Sequence, residues 1–137
     1  MDFVVNNAGI GAGGSFAETS IADWEQVLSV NVMGVVHGCK AFLPHLRDNP
    51  DGGHLLNVAS LAAVAAAPRM SAYNASKAGV RALSETLYGE LKDDGIHVSV
   101  LLHGFFPTSI DADLRGPDSA RKMTRAMMDR SDVTADD

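Results

Sequence analysis

The segment Tyr73-Asn74-Ala75-Ser76-Lys77 has the residue types and the spacing that could transfer a proton. Tyr73 and Lys77 are four residues apart, so on a helix they lie on one face. A phenol is a poor general acid or base at neutral pH because its ordinary pKa is about 10. A neighbouring ammonium favours the phenolate, so we expect Lys77 to lower the pKa of Tyr73. The spacing alone is common on surface helices, and the chemistry therefore needs support from other residues.

Two polar residues upstream could complete such a site. Ser60 ends an apolar run, and ligands gather at the carboxyl ends of strands in open α/β sheets. A hydroxyl there can donate a hydrogen bond to a carbonyl oxygen that gains negative charge. Asn31 is placed near the end of a predicted helix, where an asparagine is equally well explained by structural hydrogen bonding or capping.

Three apolar runs are predicted to be the strands that position these residues. Each is short, rich in β-branched or aliphatic residues and bounded by turn residues. They are Phe3–Val5, His54–Ala59 and Ile96–Leu102. Because helical patterns separate them, the order is strand, helix, strand, helix, strand, which predicts a parallel sheet with right-handed crossovers.

The first connecting helix has a clear start signal. Ser20 and Asp23 form a capping-box pattern, so we expect a helix to begin near Ile21. Apolar residues then recur at helical spacing. We expect Pro44 and the turn at 49–53 to close this stretch.

The second long helix is predicted to carry the tyrosine and the lysine. It should run from about Ala72 to Asp93 and stop at Gly95. The polar segment 115–130 is predicted to form a further helix over the sheet edge. We expect residues 1–137 to form a single partial domain, because the first strand begins at once and a three-stranded parallel piece leaves an open edge.

A family resemblance emerges when these residues are taken together. Asn6-Asn7-Ala8-Gly9 after the first strand, then Asn31, Ser60 and Tyr73-x-x-x-Lys77, occur in the order and spacing of the short-chain dehydrogenase/reductase family. The sequence resembles that family from Asp2 to about Thr108. The resemblance implies a Rossmann-like, doubly wound parallel sheet, of which this chain would hold about three strands and lack the N-terminal cofactor-binding half.

The resemblance also implies a role for each matching residue in catalysis. Tyr73 matches the acid/base, and Lys77 matches the lysine that holds the nicotinamide ribose and lowers the pKa of the tyrosine. Ser60 matches the residue that polarises the substrate carbonyl. Asn31 matches the asparagine that supports a water in a proton relay. The implied reaction is hydride transfer between a nicotinamide and a carbonyl or secondary alcohol.

The implied cofactor is NAD or NADP, because the residue that selects between them would lie in the missing half. Asn6, Asn7, Ala8 and Gly9 match the segment that steadies the sheet and lines the adenosine-ribose side of the cofactor, and Thr108 matches a threonine near the carboxamide. Intact members of the family would assemble as homo-oligomers through the two long helices. Phe105, Phe106, Ile110 and Leu114 suggest an apolar wall over a small-molecule substrate.

The chain also contains a glycine motif with a second interpretation. Gly9, Gly11 and Gly14 satisfy G-x-G-x-x-G, the pattern of a loop that binds a dinucleotide pyrophosphate. That pattern must open its helix directly, whereas the helix signal at Ser20 comes several residues later. We therefore expect a loop without a phosphate-binding role.

Departures from the family pattern leave alternatives open. His103 stands where the family usually has proline, so the nicotinamide pocket could differ in shape, and a tolerated loop residue is the simpler interpretation. The extended branch of the superfamily, which includes sugar-nucleotide epimerases, shares Tyr-x-x-x-Lys, but Asn-Asn-Ala-Gly favours the simple branch. The chain alone could also be a non-catalytic fragment or an oligomerising module.

Composition and charge limit the classes of binding partner and the cellular location that we expect. The net charge of −6 provides no electrostatic footprint for nucleic acid and no polybasic membrane anchor. We expect no apolar run to be long enough to span a bilayer, and the sequence predicts no metal site. The single cysteine, Cys39, suits a small core position in a reducing compartment, so we expect a cytoplasmic protein.

Overall fold

A parallel sheet organises the computed structural model, which describes residues 1–104 and 114–128. Its strands are β1 (Phe3–Asn6), β2 (Gly53–Val58) and β3 (Ile96–Leu101), in the order β1-β2-β3. Both pairings are parallel, with Val4 opposite Leu55 and Leu55 opposite Val98. The predicted strands and their parallel arrangement are confirmed, and the fold is a Rossmann-like α/β structure.

The first crossover is one continuous helical segment with an irregular turn inside it. Helix α1 (Ile21–Leu28) begins with the predicted capping box, in which Ser20 and Asp23 bond reciprocally. A π-helical turn (Ser29–Met33) follows, and helix α2 (Gly34–Arg47) continues directly from it. The expectation that Pro44 helps to end the helix was wrong. Pro44 lies inside the last turn of α2, and the chain turns only at residues 49–52.

Residues Ile21–Arg47 are also long and apolar enough to cross a membrane by length and composition alone. The expectation that no run has this length was therefore wrong, because the helical segment Ile21–Arg47 is 27 residues long. Core helices of soluble proteins pass the same test. Here Val35, Cys39 and Leu46 are buried in the cluster that covers the sheet, which explains the apolar character of this face of α2.

The second crossover carries the predicted tyrosine and lysine on helix α3 (Ser71–Leu91). A 3₁₀ turn (Lys92–Asp94) extends it, and Gly95 ends it with a φ of 70°, as expected for a glycine helix stop. Helix α4 (Asp118–Met128) forms within the segment predicted to be helical. Within α4, Ala120 packs against Gly13 of the glycine loop.

The main core lies between one face of the sheet and helices α2 and α3. Val4, Leu55 and Val98 point into it from the strands, and Leu46 and Val80 are fully buried on the helices. Burial of each such side chain stabilises the fold by roughly 1.5–3 kcal/mol. The alternate residues of the strands face the other way, and among them Phe3, Val5 and Leu101 are about half exposed.

Candidate active site

Tyr73 and Lys77 lie together in the first two turns of α3, next to the carboxyl end of β2. Both side chains are 3% exposed. The ammonium of Lys77 lies 5.8 Å from the centre of the Tyr73 ring and donates a hydrogen bond to the carbonyl oxygen of Val58 at 3.0 Å. The four-residue spacing therefore does place both groups on the face of α3 that packs against the sheet.

The pKa values of this pair differ from the simple expectation. Burial lowers the pKa of Lys77 to about 8, because the charged ammonium is removed from water. Burial also raises the pKa of the Tyr73 phenol, and a hydrogen bond with Ser60 opposes that rise only in part. The expected lowering of the Tyr73 pKa by Lys77 was therefore wrong, because desolvation raises the pKa of the phenol. Tyr73 is a protonated acid at neutral pH.

Ser60 lies where β2 ends, as its position in the sequence predicted. Its side chain is 1% exposed. The hydroxyl accepts a hydrogen bond from the backbone N–H of Ala62 at 3.2 Å and donates to the carbonyl oxygen of His103 at 3.4 Å. Because the second bond is long, the hydroxyl can turn toward a substrate carbonyl at little cost.

Asn31 lies in the π-helical turn and is 1% exposed. Its Oδ1 accepts from the backbone N–H of Ile10 at 2.8 Å, and its Nδ2 donates to the Ile10 carbonyl at 3.0 Å and to Ser76 Oγ at 2.9 Å. Single π-helical turns of this kind are frequent at functional sites. Both amide hydrogens are engaged, so the side chain fastens the loop after β1 to α3.

The segment after β1 divides between the core and the surface. Asn6 donates to Asn57 Oδ1 at 2.8 Å, inside the fold. Gly9 lies beside the site, since a Cβ there would be 3.4 Å from Lys77 Nζ and 3.3 Å from Asn31 Oδ1. Asn7 and Ala8 are exposed, so they do not lie in the buried site beside Tyr73.

The predicted residues after β3 are only partly described. Thr108, Phe105, Phe106 and Ile110 lie outside the described residues, whereas Leu114 is buried. The backbone carbonyl of His103 accepts from the N–H of Leu61 and from Ser60. His103 therefore contacts the site through its backbone, which histidine and proline share.

The glycine loop does not have the form of a phosphate-binding loop. The N–H of Gly13 donates to the Arg115 carbonyl, and that of Gly14 donates to the Arg69 carbonyl, both at 2.9 Å. Helix α1 begins only at Ile21. Because these donors are engaged and no helix opens from the glycines, the structure supports the interpretation that excludes a phosphate-binding role.

Three buried polar residues near the site were not predicted. Ser76 joins Asn31 to α3, while Asn57 and Ser84 bond to each other at 3.0 Å behind the site. Asn57 could have been noticed from the sequence, as a polar residue within the apolar run 54–59. Ser76 and Ser84 gave no such signal, since serine is common on helices.

Comparisons with known proteins show the family to which this chain belongs. The sequence model of the family described as short chain dehydrogenase matches residues 1–118. The chain belongs to the short-chain dehydrogenase family. Among its relatives, the Probable oxidoreductase EphD of Mycobacterium bovis is 43% identical over 111 residues, which are 81% of this chain and 19% of the relative. The 3beta-hydroxysteroid dehydrogenase 1 of Eggerthella lenta is 35% identical over 128 residues, 93% of this chain and 49% of the relative.

A solved structure shares the fold as well. The short chain dehydrogenase/reductase from Burkholderia phymatum, in complex with NAD, superposes with a TM-score of 0.91 at 34% identity. The match covers 98% of this chain and 54% of that one. This chain thus spans about half the length, or less, of the proteins that it resembles.

The residues around Lys77 fit a nicotinamide cofactor. In the described part of the chain, the buried ammonium has one hydrogen-bond acceptor, the Val58 carbonyl, although it carries three donors. Gly9 packs closely against the same ammonium and against Asn31, where a side chain would crowd both. A polar ligand group with hydroxyls, such as a ribose, could accept the remaining hydrogens of Lys77.

Proposed function

We propose that this chain carries the catalytic part of an NAD(P)-dependent oxidoreductase that interconverts a small-molecule carbonyl and a secondary alcohol. One observation supports this most strongly. Tyr73, Lys77 and Ser60 are all nearly completely buried and meet at the carboxyl end of β2. A buried lysine and tyrosine in contact are costly to retain unless they serve a function.

Each side chain has a separate task in the proposed reaction. The phenol of Tyr73 donates a proton to the substrate oxygen during reduction and accepts it during oxidation. Ser60 donates a hydrogen bond to the same oxygen and so stabilises the charge that develops on it. Asn31 holds the loop that carries Gly9 against α3, beside Lys77.

Lys77 and Tyr73 would hold the nicotinamide ribose, and Asn6, Asn7, Ala8, Gly9 and Thr108 would line the cofactor in the proposed enzyme. The bound nicotinamide supplies the hydride, so the chain provides position and a proton. Lys77 has ammonium hydrogens available for ribose hydroxyls. The proposed cofactor is NAD or NADP, and the proposed location is the cytoplasm.

Turnover with a matched pair of tyrosine variants tests this proposal. The chain is incubated with NADH or NADPH and a panel of ketones, and the loss of reduced nicotinamide is followed by absorbance. We expect Tyr73→Phe to abolish turnover because the proton donor is gone. Tyr88→Phe, which removes a hydroxyl from the exposed side of the same helix, should leave turnover unchanged. Activity retained in Tyr73→Phe would refute the assignment.

A second candidate is a non-catalytic module that acts only by assembly. The half-exposed Phe3, Val5 and Leu101 on the open face of the sheet favour it, as do the exposed Phe42 on α2 and Tyr88 on α3. Homo-oligomers through α2 and α3 are compatible with either candidate. A folded chain that forms stable oligomers in sedimentation experiments, and yet shows no turnover with any ketone, would favour this second candidate.

A further inference from the structure

Strand β2 and helix α3 are joined by polar groups at three successive levels. Nearest the carboxyl end of the strand, Ser60 meets Tyr73. One level back, the carbonyl of Val58 accepts from Lys77. At the third level, the Asn57 side chain donates to Ser84 Oγ at 3.0 Å. The first two levels contain the proposed catalytic groups, whereas the third contains none.

The third level belongs to a continuous chain of hydrogen bonds. Asn6 on β1 donates to Asn57 on β2, Asn57 donates to Ser84 on α3, and Ser84 donates to the Val80 carbonyl at 2.7 Å. Asn57 accepts through its Oδ1 and donates through its Nδ2, and the Ser84 hydroxyl both accepts from Asn57 and donates to Val80. The chain therefore fastens two strands to the helix that carries Tyr73.

Both central members are isolated from water. Asn57 is 0% exposed and Ser84 is 2% exposed. A buried amide that loses its partner costs about 1–3 kcal/mol, so the pair cannot be separated cheaply. An apolar pair of the same shape would pack as well but would tolerate sliding, because apolar contacts have no preferred direction.

Hydrogen bonds, in contrast, fix the position of α3 along its axis. A shift of one residue moves a helix by about 1.5 Å along its axis and turns each side chain by about 100°. This combined movement would carry the Ser84 hydroxyl out of hydrogen-bonding reach of Asn57. The same shift would move Lys77 away from Val58 and Tyr73 away from Ser60, since all three groups lie on one face of α3.

We propose that Asn57 and Ser84 are positioning residues, which hold α3 in the register that brings Tyr73 and Lys77 to the end of β2. Their importance for catalysis rests on the proposed function, but their effect on register does not. Neither residue touches the reacting atoms. They act through the backbone of α3, over the two helical turns that separate Ser84 from Lys77.

The titration of Lys77 provides a readout that a loss of stability alone would not move. The ammonium has a pKa of about 8 only while it is held in its buried position. If α3 loses its register in the folded chain, Lys77 gains water and titrates closer to its ordinary 10.5. The experiment follows the side-chain carbon resonance of Lys77 by NMR against pH, in the full chain and without cofactor.

Ser84→Ala is compared with Thr86→Ala, which removes an exposed hydroxyl that bonds in the same way to the carbonyl four residues before it. We expect the titration of Lys77 to move upward in Ser84→Ala and to stay at the wild-type value in Thr86→Ala. An unchanged titration in folded Ser84→Ala would overturn the proposal. Should Ser84→Ala fail to fold, Ser84→Cys, which keeps the shape but accepts poorly, decides by the same two outcomes.

The result is distinguishable from a failure of the proposed function. If the chain neither binds nicotinamide nor turns over ketones, the second candidate function gains support, while the titration of Lys77 still reports on register. If the chain is active, the positioning role further predicts that kcat falls in Ser84→Ala while KM for the ketone changes little. A rise in KM with an unchanged kcat would contradict the positioning role.

Discussion

The buried ammonium of Lys77 should make the stability of this chain depend on pH in an unusual direction. Its pKa is about 8 in the folded chain and 10.5 when exposed. The unfolded chain therefore binds the proton more tightly, and the free energy of unfolding rises as the pH increases through this window. Below pH 8 the full cost of burying the charge is present.

The size of this effect follows from the difference between the two pKa values. Each unit corresponds to about 1.4 kcal/mol, so burial of the charged lysine costs on the order of 3 kcal/mol at neutral pH. Between pH 7 and pH 9, about 1 kcal/mol of that cost should be relieved. Lys77→Met removes the charge and keeps most of the apolar stem. This variant should therefore be more stable than wild type at pH 7. The gain is reduced by whatever the hydrogen bond between Lys77 and Val58 contributes in wild type.

Urea unfolding at a series of pH values measures this difference. Burial raises the pKa values of Cys39 and Tyr73, which oppose the rise in alkaline solution. The contribution of Cys39 cancels when the variant is subtracted from wild type, and the phenol of Tyr73 stays protonated in both proteins between pH 7 and pH 9. Lys40→Met, on the exposed side of α2, serves as the control. If wild type and Lys77→Met give parallel curves of stability against pH, the ammonium is not buried as described, and the reasoning fails.

Two further predictions concern the elements that carry the site. Gly38→Ala should destabilise the chain by about 1–3 kcal/mol in urea unfolding, because its Cβ would overlap the Oδ1 of Asn6. The control, Gly34→Ala, meets no described atom within 4 Å and should gain up to about 1 kcal/mol; equal stabilities would contradict the packing. Ser20→Ala should cost about 1 kcal/mol, because α1 loses its cap. An unchanged urea midpoint for Ser20→Ala would show that the cap contributes nothing.

Local signals in the sequence were sufficient for most of the fold. Ser20 and Gly95 mark a helix start and a helix stop through their own hydrogen bonds and backbone freedom, and both predictions are confirmed. The strand runs were also confirmed to within a residue or two. Tyr73 and Lys77 share a helix face for the same local reason, since a spacing of four fixes it.

Features that depend on tertiary contacts could not be predicted in this way. A proline inside a helix usually ends it. Pro44 lies in the last turn of α2, where packing and the preceding helical turns outweigh the one hydrogen bond that proline removes. The π-helical turn at Asn31 depends on bonds to Ile10 and Ser76, which are distant in sequence. The pKa of Tyr73 depends on burial by the whole fold, which is why a pairwise argument from Lys77 gave the wrong direction.

Binding of NADH to the folded 137-residue chain tests the central claim most directly. Titration is followed by nicotinamide fluorescence for wild type, Lys77→Met and Lys40→Met. We predict saturable binding by wild type and Lys40→Met at submillimolar NADH or NADPH, and binding weaker by about tenfold or more in Lys77→Met. No binding of either nucleotide at millimolar concentration, or equal binding by all three proteins, would contradict the assignment of the Tyr73 and Lys77 site to a nicotinamide cofactor.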